Sequence, residues 1–190
     1  MIKFGNDIVT VGGDWLKIIP PAERLAEYPL QQITILANGN RQIFTDVPVT
    51  ESDYAVVKVN YSEINGALVL SMTADTSDVT IDVATGSAQQ IKFITSYLYN
   101  IVAYDGTVSG KVITLSNLHF INRIIFDFNA RKVHFYDINN VIVASADMSK
   151  PSHWTPVSIS LGNTSASNQT RCKVSGEIWQ CYTMEQALSV

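Results

Sequence analysis

The side chains able to do chemistry are thinly spread along this sequence. Its three histidines, His119, His134 and His153, show no i, i+2 or i, i+4 spacing, so no two of them share a strand face or a helix face as metal ligands would. The reading is therefore no metal site. His134 lies between Lys132 and Tyr136 at alternating positions, the pattern of a solvent-facing strand surface, and His153 precedes Trp154 in a loop. Cys172 and Cys181 flank a segment with Gly176 near its middle, which would let them face each other across a hairpin. A bridge is allowed but not required, and two reduced, buried thiols are the default. Neither cysteine has a neighbouring His to make it a nucleophile.

Carboxylates come next, because glycosidic cleavage needs two of them at the scissile bond. The Glu-x-Asp-x-x-Glu pattern that puts them on one strand is absent. Asp75 with Asp78, and Asp127 between Phe126 and Phe128, lack a Glu partner at alternating positions. Asp75, Asp78, Asp82, Asn100 and Asp105 are hard oxygen donors, but without an Asp-x-Asp-x-Asp-Gly loop they read as solvated acids. Gly-x-Ser-x-Gly, Gly-x-x-x-x-Gly-Lys and Gly-x-Gly-x-x-Gly are also missing, so the expectation is no enzyme and no cofactor. Glycosylation sequons at Asn60, Asn163 and Asn168 are what chance produces in a chain rich in Asn, Ser and Thr. The polar loop at residues 162–169 joins two strand-like runs. With Trp154 and Tyr136 as aromatic platforms, and Asn163 and Asn168 as amides, it would suit an uncharged sugar; the alternative is an ordinary exposed loop.

These residues need a scaffold, and the composition describes one. The chain has 190 residues, 46% hydrophobic and 16% charged, enough to bury a core while leaving few charges for exposed helices. Thirteen Lys and Arg against 17 Asp and Glu give a net charge of −4, which argues against a nucleic-acid partner. No apolar run approaches the ~18 to 20 residues of a spanning helix, and the opening residues lack the apolar centre of a signal peptide, so synthesis in the cytoplasm and no membrane partner are expected.

Short β-branched and aromatic runs alternate with Asn-Gly, Asp-Gly and Asn-Asn turns. Three hairpins are predicted: residues 33–37 with 41–45 across Asn38-Gly39, residues 56–61 with 67–72 across Asn65-Gly66, and residues 132–138 with 141–145 across Asn139-Asn140. Alternation is visible at Val79, Ile81 and Val83 and at Ile124, Phe126 and Phe128. Two short helices are expected. One follows Pro20-Pro21 over residues 22–28 and stops at Pro29, and the other opens at Thr183, whose spacing to Gln186 is that of a capping box. The economical architecture is all-β: two antiparallel sheets packed as a sandwich or jelly roll, with one or two short helices.

Residues 121–161 carry a resemblance. An apolar strand ending in Asp127, the run Val133-His134-Phe135-Tyr136-Asp137-Ile138-Asn139-Asn140, a second apolar strand and the step Trp154-Thr155-Pro156 are similar to concanavalin A-like sandwiches of the SPRY or laminin-G kind, with Asn-Asn where Asn-Gly is usual. Residues 1–16 resemble the openings of small structural proteins of tailed bacteriophages. That likeness implies a noncatalytic structural or adhesive part of a virion: an N-terminal arm, residues 1–19, docks to other virion proteins or to further copies in a homo-oligomer, ahead of a sandwich over residues 20–190. Ile2, Phe4, Ile8, Val11, Trp15 and Leu16 would supply the assembly interface, or would complete the domain's own sheet. The alternative function is a carbohydrate-binding module for host surface glycan. An enzyme assembled from scattered Asp, Tyr and His residues is a third.

Overall fold

The computed structural model describes residues 2–4, 7–11, 16–49, 52–74, 77–84, 90–95, 102–103, 112–114, 121–147 and 156–190, with side chains at 18–49, 52–73, 121–145 and 157–190. In chain order the strands are β1 (Ile2–Phe4), β2 (Asp7–Val11), β3 (Leu16–Ile19), β4 (Glu23–Ile35), β5 (Asn40–Pro48), β6 (Tyr54–Asn65), β7 (Leu68–Ala74) and β8 (Ser77–Ala84). They continue with β9 (Gln90–Thr95), β10 (Val102–Ala103), β11 (Val112–Thr114), β12 (Ile121–Asp127), β13 (Lys132–Asp137), β14 (Ile142–Asp147), β15 (Pro156–Gly162) and β16 (Thr170–Cys181), before the helix α1 (Met184–Ser189). Strands β1 to β3 form a small sheet of their own. The rest make a seven-stranded sheet, β10-β14-β13-β12-β6-β16-β4, and a six-stranded sheet, β11-β9-β8-β7-β15-β5, antiparallel throughout. The expected all-β jelly-roll sandwich is what the chain forms.

Alternation builds the core. Along β16 the even-numbered residues from Thr170 to Gln180 are buried and the odd ones between them are exposed or half-buried. Ile33, Val57, Phe126, Phe135, Val174 and Ile178 of the larger sheet meet Phe44, Leu70, Met72, Val157, Ile159 and Leu161 of the smaller one in a single apolar cluster. A second, smaller cluster lies on the other face of the larger sheet, where α1 brings Ala187 onto Val56, Ile125 and Cys181. We call this the outer face.

Several local expectations change. Residues 22–28 do not form a helix: they open β4, because β16 offers a ladder from Gln180 opposite Glu23 to Thr170 opposite Ile35. Tertiary pairing overrides the helix-forming run, and Pro29 sits at a register shift on the sheet's outermost strand, where its missing N–H is tolerated. The Asn38-Gly39 and Asn65-Gly66 turns do not close hairpins either. Each carries the chain from one sheet to the other, β4 to β5 and β6 to β7. The Asn139-Asn140 hairpin is real, with β13 paired to β14 and Asp137 Oδ1 accepting from Asn139 N at 2.8 Å and Val141 N at 3.0 Å. At the second helix, Thr183 Oγ1 accepts from Gln186 N at 3.1 Å as the spacing predicts, and the Gln186 side chain reaches back to Tyr182 N and Pro20 O, both at 2.8 Å.

Cys172 and Cys181 do not face each other across a hairpin. Both lie on the single strand β16, Cys172 in the inter-sheet core and Cys181 under α1, both as free thiols. Nine residues of extended chain span roughly 30 Å, far beyond disulfide reach. The side chains of Ile2, Phe4, Ile8, Val11 and Leu16 fall outside those described, and Trp15 and Trp154 outside the described residues altogether.

Candidate functional site

Of the residues expected to hold a sugar, Asn163 and Asn168 share one loop, Tyr136 lies on β13, and Trp154 is outside the described residues. Asn163 is buried, and its amide is committed to the chain: Nδ2 donates to Ile35 O (3.3 Å), Leu36 O (3.1 Å) and Asn168 O (2.7 Å), while Oδ1 accepts from Ser165 N (2.9 Å). It fastens the β4 to β5 crossing to the loop after β15, with Asn163 N donating to Gly39 O and Asn38 N to Ser165 O, both at 2.9 Å. Asn168 is exposed on that loop. Tyr136 lies on β13, packed at the edge of the α1 cluster. Burial raises its pKa, against the pull of Arg123. His134 is half-buried, with Nδ1 2.9 Å from Ser145 Oγ, and desolvation lowers its pKa. Among the described residues no group of three His, Cys, Asp or Glu side chains is placed to hold a metal.

A different constellation occupies the outer face of the larger sheet. Register places Glu177 of β16 between Glu27 of β4 and Lys58 of β6, and Lys58 is followed by Arg123 of β12 and Tyr136 of β13. The result is one transverse row, Glu27-Glu177-Lys58-Arg123-Tyr136, about 5 Å from strand to strand. Glu177 is its best-held member. Arg24 Nη1 reaches Glu177 Oε1 at 3.1 Å; Lys58 Nζ at 3.2 Å and Trp179 Nε1 at 3.1 Å both reach Oε2. Arg24 also pairs with Glu27 Oε2 at 3.0 Å and stands 5.8 Å from the centroid of the Trp179 ring. Burial alone would raise the pKa of Glu177, but the hydrogen bonds from Trp179, Lys58 and Arg24 outweigh it and hold the carboxyl below its ordinary value.

Beside this group lies a cleft of about 380 Å³ lined by Glu27, Leu30, Lys58, Asn60, Ser175 and Glu177, among others. It offers ionised acceptors, ammonium and amide donors and a nearby indole, the mixture that binds polyhydroxylated ligands. Sequence reasoning missed it because it spans three strands distant in the chain. The one signal present was the alternation Lys173, Ser175, Glu177 and Trp179 between the two cysteines.

The low pKa of Glu177 has a consequence for stability. A carboxyl that binds its proton more weakly when folded stabilises the fold above its unfolded pKa, and that contribution disappears as pH falls through the folded one. Between about pH 5 and pH 3 the wild-type urea midpoint should therefore fall more steeply than that of Glu177→Gln, and parallel curves for the two would contradict the assignment.

The architecture is that of a jelly-roll β-sandwich. Among solved structures the chain is similar to a β-glucanase of Bacillus licheniformis (11% identity, TM-score 0.46, covering 80% of this chain and 78% of that one). It is likewise similar to a prokaryotic β-1,3-1,4-glucanase (lichenase) derived from a mouse hindgut metagenome (9%, TM-score 0.47, 80% of each chain). A third is the κ-carrageenase of Pseudoalteromonas carrageenovora in complex with a κ-carrageenan oligotetrasaccharide (14%, TM-score 0.39, 90% of this chain and 82% of that one). No protein-family model matches the sequence, and no curated protein does. The expectation of a protein that is not an enzyme is corrected here: the three solved chains are two glucanases and a carrageenase. The virion reading finds no support in them.

Proposed function

We propose that the protein binds a polysaccharide chain along the outer face of the seven-stranded sheet, centred on Glu177. The observation that carries this reading is the cleft crossing β4, β16 and β6 beside a carboxylate fixed by three donors, with Trp179 alongside. A fixed acceptor sets the orientation of sugar hydroxyls and an indole face covers the apolar side of a pyranose ring. Affinity electrophoresis of the protein through a panel of soluble plant, algal and bacterial polysaccharides should show retardation by at least one. Trp179→Ala should weaken that binding about 10- to 100-fold, the worth of one stacked aromatic. Undiminished affinity in both Trp179→Ala and Glu177→Gln would sink the reading.

A hydrolytic role has one observation in its favour. Glu27 and Glu177 are direct cross-strand partners on the same face, so two carboxylates share one cleft, although no single strand carries the pair. Release of reducing ends from a bound polysaccharide, lost in Glu177→Gln while binding persists, would establish it.

A further inference from the structure

A chain seated in the cleft beside Glu177 could leave it across the strands or along them. Across the sheet the row is shut: after Lys58 comes Arg123, only 8% exposed beneath α1, with Nη1 bonded to Leu188 O at 2.8 Å and Nη2 to Val190 O at 2.6 Å. On the other side the row ends at β4, the outermost strand. Along the strands the face stays open. The outward residues of β16 run Trp179, Glu177, Ser175, Lys173, Arg171, none of them buried, and the cleft already extends from Glu177 to Ser175 in that direction. Exposed polar side chains flank them: Gln32 and Thr34 of β4 stand opposite Lys173 and Arg171, and Asn60 and Ser62 of β6 opposite Ser175 and Lys173. Leu30, 67% exposed, adds an apolar patch at the cleft wall. From Trp179 to Arg171 this strip measures about 26 Å, the length of about five extended sugar units.

Charge sorts the ligand. Arg24 and Lys58 pair with Glu177, Arg24 also with Glu27, and Lys173 Nζ with Glu63 Oε1 at 2.5 Å. With its amide turned to satisfy both groups, Gln169 Oε1 accepts from Arg171 Nε at 3.0 Å and Nη2 at 2.8 Å. Three carboxylates thus border the strip with their cations already engaged. An acidic chain would set its anions against them, whereas sugar hydroxyls can donate to the carboxylates and accept from the cations. We infer that an extended, uncharged polysaccharide lies along β16 and not across the sheet, occupying about five sugar units from Trp179 to Arg171. This inference rests on the outer face being the polysaccharide site; it adds the direction, length and charge class of what binds there.

Calorimetric titration with size-fractionated dimers to hexamers of β-1,4-glucan, β-1,4-mannan and β-1,3-glucan, and with oligogalacturonate as the acidic counterpart, tests it. For the neutral series that binds, affinity should climb with each added unit to the pentamer and then level off. Reductive methylation in the presence of the hexamer, read by peptide mass, should slow at Lys58 and Lys173 together and stay unchanged at Lys132, an exposed residue of β13 off the strip. Arg171→Ala should lower hexamer affinity about 3- to 10-fold, the worth of one donor group, and shrink the gain from trimer to hexamer. An affinity that levels off at the trimer, with Lys173 unprotected, would mean that the chain crosses the strands; the inference would fall and the polysaccharide face would stand. Tighter binding of the oligogalacturonate hexamer than of every neutral hexamer would overturn it as well. Failure of every oligomer to bind would remove both.

Discussion

Gly66→Ala should lose about 2 to 6 kcal/mol of unfolding free energy, a large share of what holds most domains of this size together. Two causes add. The backbone at Gly66 has φ = +112°, outside even the left-handed region that Asn tolerates, so a side chain there is strained whatever space surrounds it. The space is also filled. A Cβ would come within 2.7 Å of Thr170 Oγ1 and 3.0 Å of Gln169 O and the Thr170 Cα, and two of those atoms are backbone that cannot swing aside. The position matters because Gly66 makes the step from β6 in one sheet to β7 in the other, and Thr170 Oγ1 ties the same corner to Ala67 O. Gly162→Ala is the matched control, since its nearest contact would be an ordinary 3.9 Å to Val69 O. Urea unfolding of the two variants should separate them by well over 1 kcal/mol, and equal midpoints would refute the steric argument.

The second large effect belongs to the inter-sheet core. Phe135 and Ile125 are both fully buried, but Phe135 packs between two sheets while Ile125 lies beneath α1. Truncating Phe135 to Ala removes a ring from a site walled by two hydrogen-bonded sheets that cannot close in, and should cost about 3 to 5 kcal/mol. Ile125→Ala should fall nearer ~2 kcal/mol, because a short helix can settle into the space it leaves. Thermal or urea denaturation would rank the two, and the reverse order would mean that α1 is packed as rigidly as the sheets.

What could be read in the sequence was mostly local. Thr183 and Gln186 announced the helix start because a cap is a contact between residues three apart. Asn139-Asn140 announced its hairpin because Asp137, beside it, organises the turn. Asn38-Gly39 and Asn65-Gly66 marked true reversals, but a turn residue reports that the chain turns back and not which partner the following strand will choose. Here β5 and β7 both chose β15, in the opposite sheet. Residues 22–28 failed for a related reason: their helix-forming composition yielded to a ladder with β16, about 150 positions away. The candidate site was hidden for the same cause at larger scale. Arg24, Glu27, Lys58, Arg123 and Glu177 form a site only through a register across four strands, which no spacing rule within one segment can reveal.

That dependence on β16 also sets a schedule for folding. Among the described strands β4 pairs with β16 alone, and β16 lies between it and β6. Until the residues from 170 onward are made, β4 lacks its ladder partner and β6, which β12 can pair on one side, keeps its other edge open. Strand β4 therefore joins the larger sheet last, through contacts of long sequence separation, which predicts slow refolding and a nascent chain that needs protection from aggregation until β16 emerges.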